Sequence, residues 1–517
     1  MRRSAPLILL LLASACTVGP NYKAPELPAP AAFAEPQPSD GGVDLARWWE
    51  AYDDPELTHL IEIGLQQAPD LQTAESRVRE ARYEVIAARS AGLPSVNGTG
   101  NAEYLKFQQI GSKSDIGKLT QQISGGQNGG GTGSTTGAGS IPRDFHTFSA
   151  GFDASWELDL FGGVRRSVEA ARAQEEAARW SARDARVSLA AEIASDYLQM
   201  RGYQEQARIA AAEADRQARS LSILRHTAQV GLVPQGNAIR QQTQLAQAQS
   251  QIAPLKAQAG VQIHAIGVLI GEEPEALIAE LNTDVPLPKV PPQVPPGLPV
   301  DLIRRRPDVR AAERQLAGAT AQIGVAVADL YPKISLTAMP QLATAWLGGF
   351  FLGKTFQLTA QGQASFPIFD FGARRATIGE RKEEREQAYI QWRQTVLGAL
   401  RDVEDALVRI AGERDSNADL RGGVIAAQRS LKTSEALYSV GLQDYTPVLN
   451  DQEQLLTAQN SLAQSDVRLR TDLASLYKAL GGGWSEGDAP PVRSVIEDAP
   501  KKRLSPLPPA GEGWVRE

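Results

Sequence analysis

Ser155-Trp-Glu-Leu-Asp-Leu-Phe-Gly-Gly-Val-Arg165 and Ser365-Phe-Pro-Ile-Phe-Asp-Phe-Gly-Ala-Arg-Arg375 are two versions of one motif, 210 residues apart. Each ends a segment in which apolar and polar residues alternate, and each is followed by a long segment rich in Ala, Glu, Arg and Gln. Alternation with period two is typical of a strand, and glycine permits a sharp turn. Each stretch is therefore predicted to join a β-strand to a long α-helix.

The rest of the chain repeats around these two junctions. The Val-Gly-Leu triplet at residues 230–232 recurs at residues 440–442 with the same offset, whereas Pro94 matches Pro332 at an offset of 238. The two offsets differ by 28 residues, so the first copy has 28 extra residues between Pro94 and Ser155, the interval that contains a Gly/Ser/Thr-rich tract at residues 124–140. We interpret the chain as a tandem duplication with one enlarged, flexible surface loop.

The N-terminal residues have the pattern of an export signal. An apolar run over residues 7–12 follows two arginines, and Ala13-Ser14-Ala15 directly precede Cys16, the only cysteine of the chain. A cysteine after small residues resembles the lipobox at which bacterial lipoproteins are cleaved and acylated. Residues 1–15 are therefore predicted to be a lipoprotein signal peptide and Cys16 the lipidated N-terminus. Thr17, rather than Asp, after the cysteine implies sorting to the outer membrane.

Composition and motif content argue against several classes of protein. The formal net charge of −7 does not suit a nucleic-acid-binding protein. Outside the signal no run of 18 apolar residues exists, so no membrane-spanning helix is predicted. The four histidines lack metal-ligand spacing, and no nucleophile motif is present, so we expect no catalytic residue, cofactor or metal site. The histidines are His59, His146, His226 and His264.

Four segments alternate apolar and polar residues and are predicted strands, at residues 94–106, 145–158, 332–342 and 354–368. Each is near the length of a tilted membrane-spanning strand, with aromatic residues towards the ends. A soluble sheet with one solvated face has the same alternation. The predicted export and lipidation favour membrane strands.

Long helical hairpins are predicted at residues 165–271 and 373–481. Each turns at Val-Gly-Leu, where glycine can take the left-handed conformation that ends a helix. Pro254 is predicted to kink the returning helix of the first copy. In the second copy, apolar residues recur every seven positions, as in a coiled-coil seam. They are Val448, Leu455, Leu462, Leu469 and Leu476.

The chain organisation follows from these elements. The first repeat is predicted at residues 16–283, a Pro-rich, stiff linker at residues 284–300 and the second repeat at residues 301–483. Residues 484–517 are rich in proline and charge, and we expect a disordered tail there.

Five motifs together resemble the outer membrane factors of tripartite efflux systems, the TolC superfamily in its lipoprotein branch (OprM and NodT type). They are Cys16-Thr-Val-Gly-Pro-Asn-Tyr22, Arg47-Trp48-Trp49, Trp156-Glu-Leu-Asp-Leu-Phe-Gly162, Arg305-Arg-Pro-Asp-Val-Arg-Ala-Ala-Glu313 and Tyr331-Pro-Lys-Ile-Ser-Leu-Thr337. The resemblance extends from Cys16 to about Trp484. It implies a mixed α and β fold, in which a homotrimer closes one membrane β-barrel, four strands per chain, continued by a long α-helical coiled-coil barrel.

The physics of strands supports the trimer independently. About eight strands are the practical minimum for a closed barrel, so four strands cannot close one. An open edge in lipid would leave unpaired backbone groups that cost several kcal/mol each. The chain is therefore expected to share its barrel with copies of itself.

The resemblance implies a passive, gated conduit in the outer membrane that extends into the periplasm and exports small molecules. A periplasmic adapter protein and an inner-membrane pump are the implied partners, together with outer-membrane lipid and no nucleic acid. Two alternatives remain. The outer-membrane channel of a type I protein secretion system shares the fold, and a periplasmic coiled-coil adapter would share only the hairpins.

The resemblance also implies where the adapter docks. The two hairpin turns, as periplasmic tips, are the expected contact sites, although a glycine there would equally serve as a plain helix stop. The expected contact residues are Val230, Gly231, Leu232, Val440, Gly441 and Leu442.

In the family, the helix after the second tip carries a leucine and acidic residues that close the tunnel near the threefold axis. The corresponding residues here are Leu449, Asn450, Asp451 and Glu453, with Asn450 where the family carries Asp. Asn450 and Glu453 share a helix face, and together with Leu449 they are the preferred lumenal set, with Asp451 as the alternative. The gate is either an acidic ring or a packed leucine with amide hydrogen bonds, and a plain polar helix start would have the same composition.

Overall fold

The structure is a computed structural model of the chain. It describes residues 17–26, 32–34, 42–106, 144–283, 285–292, 299–347, 350–485 and 487. The predicted signal peptide, Cys16 and the loop at residues 124–140 lie outside these residues, as does nearly all of the predicted tail at residues 484–517.

Helices dominate the described chain, with two pairs of strands between them. A 3₁₀ helix at Leu45–Tyr52 is followed by α1 (Pro55–Gln67), α2 (Pro69–Ser90), β1 (Ser95–Lys106), β2 (Asp144–Leu158), α3 (Gly163–Gln229), α4 (Gln235–Ile270), α5 (Ile278–Leu281), α6 (Pro299–Arg305), α7 (Pro307–Ala328), β3 (Lys333–Leu347), β4 (Phe350–Ser365), α8 (Ala373–Ser439) and α9 (Thr446–Ala479). The order α2-β1-β2-α3-α4 matches α7-β3-β4-α8-α9, as a tandem repeat requires.

The strands form one antiparallel sheet in the order β1-β2-β3-β4. One row crosses the sheet through Val96, Ala154, Ala338 and Ala360, so the even-numbered residues of all four strands share a face over most of the sheet. That face is apolar and exposed, and it carries Val96, Phe148, Phe152, Leu342, Phe356 and Leu358. The opposite face is polar, and it carries Asn97, Thr99, Asp153, Ser155, Thr337, Gln357 and Gln361.

The second pair of strands differs from its predicted bounds of 332–342 and 354–368. β3 continues to Leu347 because its backbone pairs with β2 as far as Phe145. The β-bulge between Ala345 and Trp346 interrupts the period-two pattern there, which is why alternation fails to reveal this end. β4 ends at Ser365 because Pro367 lacks the N–H that a further ladder bond needs.

The chain divides into two compact units. The first contains the described N-terminal residues as far as position 26, residues 77–178 and residues 308–398, and it holds the whole sheet. The second contains residues 32–76, 179–307 and 399–487 where they are described. The long helices α3 and α8 each have 67 residues and contribute to both units. At ~1.5 Å per residue each is about 100 Å long.

Aromatic side chains build the core of the second unit. Trp48 of the 3₁₀ helix is fully buried and stacks on Tyr477 of α9, with ring centroids 5.2 Å apart. Tyr52 is buried and donates its hydroxyl hydrogen to the backbone oxygen of Arg470 at 2.6 Å. Gly482 lies so close that a Cβ there would be 2.9 Å from Trp48 Cδ1. The Arg-Trp-Trp motif is therefore a packing motif that fixes the 3₁₀ helix to α9.

The described part of the predicted linker belongs to the second unit and packs against its helix α9. The Tyr477 hydroxyl donates to the carbonyl of Pro292, and Arg470 Nε donates to that of Pro288, both at 2.6 Å. The linker also ends earlier than the predicted residue 300, because α6 begins at Pro299, a residue well suited to the first helical turn.

The returning helix of the second copy follows the sequence pattern. In α9 the predicted seam residues Val448, Leu455, Leu469 and Leu476 are buried, and Leu462 is partly buried. In α4 the helix continues through Pro254 as a single element, so the proline removes one backbone hydrogen bond without ending the helix, and the kink at this position stays a prediction. Among the described residues, no helix is both long and apolar enough to cross a bilayer.

The N-terminal segment after Cys16 is bound to the strand–helix junction of the first repeat. Buried Arg166, in the first turn of α3, donates from Nε to the Val18 carbonyl at 3.0 Å and from Nη2 to the Gly19 carbonyl at 3.2 Å and to Asn21 Oδ1 at 2.7 Å. Gly19 has a φ of 89°, and a Cβ there would lie 2.5 Å from Gly324 Cα. The segment can approach α7 this closely only because both residues are glycine.

We expect Arg166→Met to loosen this segment, because methionine fills a similar space but leaves three acceptors without their donor. The free energy of unfolding should fall by about 3 kcal/mol, as for the loss of hydrogen bonds to a buried charged group. Denaturant unfolding measures that loss, and limited proteolysis should cut near residue 20. Arg172→Met, on the same helix but exposed, is the control. Equal stability of the two variants would contradict the assigned role of Arg166.

Candidate functional site

Both hairpins turn through the same backbone motif. Gly231 and Gly441 have φ values of 75° and 74°, which place them in the left-handed region. The N–H of Leu232 donates to the carbonyl of Thr227 at 2.9 Å, and the N–H of Leu442 donates to that of Leu437 at 3.0 Å. This is the Schellman ending of a helix, in which glycine avoids the Cβ penalty.

The side chains around each turning glycine are apolar and point into solvent. Leu232 and Leu442 are each 75% exposed, and both neighbouring valines, Val230 and Val440, are exposed as well. A Cβ at either glycine would meet no atom within 4 Å. The two tips therefore present matching pairs of uncovered apolar side chains, whose surface favours contact with another molecule.

The predicted gate residues lie on different sides of the first turns of α9. Leu449, Asn450 and Glu453 line one groove with a volume of about 320 Å³, together with residues of α3 and α4. Asp451 faces α8 instead, where Ser430 Oγ donates to its carboxylate at 3.0 Å and Ser434 Oγ donates to the second oxygen. The structure thus brings three of the four residues together and separates Asp451 from them.

The groove is lined mainly by amide and charged side chains. Its lining consists of Glu213, Gln217, Asn237, Arg240, Gln244, Gln247, Ala248, Gln251, Tyr445, Thr446, Leu449, Asn450, Glu453 and Leu456. Amides both donate and accept hydrogen bonds and carry no charge. A surface of this kind can form hydrogen bonds with polar solutes without binding anions or cations strongly.

A chain of buried polar side chains begins at the wall of this groove. Glu213 accepts from Arg216 Nε at 2.9 Å and from the Gln217 amide. Gln241 of α4 is fully buried and donates both to the Gln217 side chain and, at 3.2 Å, to its backbone carbonyl. These bonds tie α3 to α4 through polar groups in a region that coiled coils usually fill with apolar residues.

The same kind of contact joins α9 to α3. Buried Gln452 donates from Nε2 to Ser220 Oγ at 3.4 Å. Beside it, burial raises the pKa of the Tyr445 hydroxyl, while hydrogen bonds with Ser220 and Gln452 lower it. Tyr445 also packs edge-on against Tyr438, with centroids 4.9 Å apart. The start of α9 is therefore held by these polar bonds and the aromatic contact, in addition to the apolar cluster that contains Val448 and Leu455.

Sequence reasoning missed these buried polar residues. Gln452 lies between seam residues Val448 and Leu455, four and three positions away, where a coiled coil normally carries an apolar side chain. That interruption of the seam could have indicated that Gln452 is buried. The sequence gives no such indication for Gln217 and Gln241, because both lie in helices rich in glutamine and alanine throughout.

Among the described residues, no group of three or more His, Cys, Asp or Glu side chains is arranged to hold a metal ion.

The family of the chain follows from comparison with known proteins. The family model described as "Outer membrane efflux protein" matches residues 60–272 and 298–482, which is most of the chain. The chain belongs to the outer membrane efflux protein family. The resemblance to outer membrane factors of the TolC superfamily is thereby confirmed.

Relatives of this outer membrane efflux protein match it over nearly its whole length. Nodulation protein T of Rhizobium leguminosarum bv. viciae is 31% identical over 496 residues, which cover 96% of each chain. The pyoverdine export outer membrane protein OpmQ of Pseudomonas aeruginosa is 30% identical over 442 residues, covering 85% of this chain and 88% of the relative.

A solved structure supports the fold of this outer membrane efflux protein. The outer-membrane channel OprN superimposes with a TM-score of 0.77 at 30% identity, covering 91% of this chain and 100% of that chain. The predicted fold class, with four strands per chain and long helical hairpins in a tandem repeat, is confirmed.

Proposed function

We propose that this outer membrane efflux protein assembles as a homotrimer and acts as a passive, gated exit duct of a tripartite efflux pump. A periplasmic adapter and an inner-membrane pump deliver small molecules to it, and the energy comes from the pump. The observation that carries the proposal is the sheet, which has an exposed apolar face and two unpaired edges.

The sheet supports a barrel shared between chains. Among the described strands, β1 and β4 each pair on one side only, so each leaves a row of backbone N–H and C=O groups without a described sheet partner. Because each strand runs opposite to its neighbour, β4 of one copy and β1 of the next are antiparallel when placed side by side. Three copies would close a twelve-stranded barrel, with the apolar face towards lipid and the polar face lining the lumen.

The long helices support a duct below the barrel. Each chain supplies two hairpins whose first helix is 67 residues long, so three chains supply six. In a ring, the six long helices would reach about 100 Å at ~1.5 Å per residue, and the returning helices of 36 and 34 residues would line about half of that length. The amide-rich groove near the tips suits a path for varied polar solutes.

The names of the relatives favour small molecules as cargo. OpmQ is named for export of pyoverdine, and we transfer only this class of cargo, not the compound. A type I secretion channel would share the barrel and the hairpins, so the cargo is what distinguishes the two alternatives. A periplasmic adapter that is not a channel would have no use for an exposed apolar sheet of this size.

Lipid at Cys16 would give the protein a second hold on the outer membrane. The bound N-terminal segment supports this, because Arg166 keeps residues 18–21 beside the strand–helix junction, one short segment away from Cys16. Buried acyl chains stabilise membrane binding by ~0.8 kcal/mol per methylene. We expect labelled palmitate to enter the wild-type protein but not Cys16→Ser, which should reduce assembly without abolishing efflux. An unlabelled wild-type protein would rule out lipidation.

The exposed tips are the proposed adapter contacts. We expect Leu232→Asp with Leu442→Asp to abolish efflux and leave trimers intact, because the change removes the apolar contact but keeps both turning glycines. Leu232→Met with Leu442→Met is the matched control and should retain efflux. The readout is the sensitivity of cells to toxic small molecules in a deletion background.

Two results would revise the docking proposal. Normal efflux by the aspartate variant would mean that the tips are plain helix stops. Loss of one secreted protein from the medium, with unchanged drug sensitivity, would favour the type I secretion channel.

The gate proposal rests on Leu449, Asn450 and Glu453. Asn450 and Glu453 are exposed, and Leu449 is half-buried against the apolar cluster near the tips. Three copies of Glu453 near a threefold axis would repel one another unless hydrated, protonated or bridged by cations. Asp451 is less suited, because two serine hydroxyls already bind its carboxylate within its own hairpin.

We expect Leu449→Ala with Glu453→Ala to raise single-channel conductance in planar bilayers and to sensitise cells to large antibiotics, since both changes widen the constriction. Asp451→Asn keeps an acceptor for Ser430 and should leave conductance as in the wild type. Unchanged conductance in the double variant would refute this gate, and increased conductance in Asp451→Asn would assign the closure to Asp451.

A further inference from the structure

The two strand–helix junctions have the same sequence pattern but very different surroundings. In the first repeat, Phe161 is half-buried and stacks on Tyr331, with ring centroids 4.7 Å apart and planes 19° apart. In the second repeat, the matching Phe371 is 91% exposed. One copy of the junction is therefore covered within the chain, and the other is not covered by any part of the chain that the structure describes.

The stacking of Phe161 on Tyr331 follows from the order of the strands. Phe161 comes directly after β2, and Tyr331 directly before β3, and these two strands are neighbours in the sheet. The equivalent residues after β4 and before β1 can be found from the repeat. Phe371 lies 210 residues after Phe161, and Leu93 lies 238 residues before Tyr331. Leu93 is 63% exposed.

Phe371 also adopts a backbone conformation that large residues avoid. Its φ of 53° lies in the left-handed region, which is unfavourable for a residue with a Cβ. Strain of this kind persists where the surroundings enforce it and is common at contact sites. Here Asp370 enforces it by accepting from the backbone N–H groups of Gly372 and Arg374 at 3.0 and 3.2 Å.

The side chains around the strained residue Phe371 form an exposed apolar cluster. Ile368 is 90% exposed, and Phe369 packs edge-on against Phe371 with centroids 4.4 Å apart. The bonds of Asp370 fix the orientation of the two rings before any partner arrives. Such preorganisation lowers the entropy lost on binding.

We propose that Phe371 packs on Leu93 of the partner subunit, as Phe161 packs on Tyr331 within the chain. The proposal rests on the proposed trimer, in which β4 lies beside β1 of the next copy. There the end of β4 and the start of β1 meet at the same rim, which brings Phe371 and Leu93 together. The occupant of this apolar surface is thus a second copy of the chain, and each trimer has three such contacts.

Cysteine cross-linking tests the contact directly. We expect Leu93→Cys with Phe371→Cys, treated with a short bis-maleimide in isolated outer membranes, to give covalent dimers and trimers that survive boiling in detergent. Each single variant should stay monomeric after boiling, because equivalent positions of different subunits lie far apart around the ring. Phe161→Cys with Tyr331→Cys is the matched control and should cross-link only within one chain.

Trimer formation is followed in the same samples without boiling, so the contact and the trimer are judged separately. Unboiled trimers without cross-linked species in the double variant would refute the contact and leave the trimer standing. Ready labelling of Phe371→Cys by a lipid-soluble maleimide within intact trimers would also refute it, with lipid as the occupant. Absence of trimers in the wild-type protein would refute both proposals.

Phe371→Gly gives a second test that does not depend on cross-linking. Glycine relieves the strain at this position, so an uncontacted turn would gain stability from the change. If Phe371 fills a contact with the partner subunit, the variant trimer should dissociate at a temperature several degrees lower than the wild type. A higher dissociation temperature would contradict the proposal.

Discussion

The unpaired backbone of the outer strands is the constraint on which the rest of the structure depends. A strand edge in water finds hydrogen-bond partners in the solvent, but in lipid each unsatisfied N–H or C=O costs several kcal/mol. The sheet has one such edge on β1 and another on β4, and its exposed face carries side chains such as Phe152 and Phe356. A single chain therefore has an apolar surface that suits lipid and edges that do not. Association with further copies resolves that conflict.

The tandem repeat explains why the strands of one chain can pair with those of another copy. Duplication of a helix–strand–strand–helix unit gives an even number of strands, so the last strand can join the first strand of another copy without reversing the antiparallel order. The two copies have since diverged at their junctions. The first is covered by Tyr331 and by the N-terminal segment bound to Arg166, and the second exposes Phe371. The uncovered junction is the one that adjoins an open edge.

Much of the fold could be predicted because its signals are periodic. Strand alternation, the glycine stops at residues 231 and 441 and the seven-residue spacing in α9 each reflect a local rule that repeats along the chain. Features that depend on contacts distant in sequence gave no such signal. Alternation did not reveal that β3 continues past a bulge to Leu347, and composition did not show that Arg166 holds a segment almost 150 residues earlier in the chain. The buried glutamines near the tips were missed because glutamine is common on the exposed faces of the same helices.

The approximate position of the candidate site could also be predicted from a local rule, but the partners of its residues could not. Residues 449–453 could be placed near a tip from their distance to Gly441, but only packing separates Asp451 from its neighbours. The carboxylate of Asp451 is bound by serines of α8, and those partners lie 17 and 21 residues away. Spacing on one helix identifies residues that share a face, whereas the partner opposite that face depends on the fold.

Native mass spectrometry of the protein, released from detergent micelles or lipid nanodiscs, measures directly whether three copies of this chain close one barrel. We expect one dominant species with three times the mass of the chain. That species should persist on dilution, because separation would expose the edges of β1 and β4. A stable monomer in the same lipid environment, or a dimer as the largest species, would contradict the closure of one barrel by three copies.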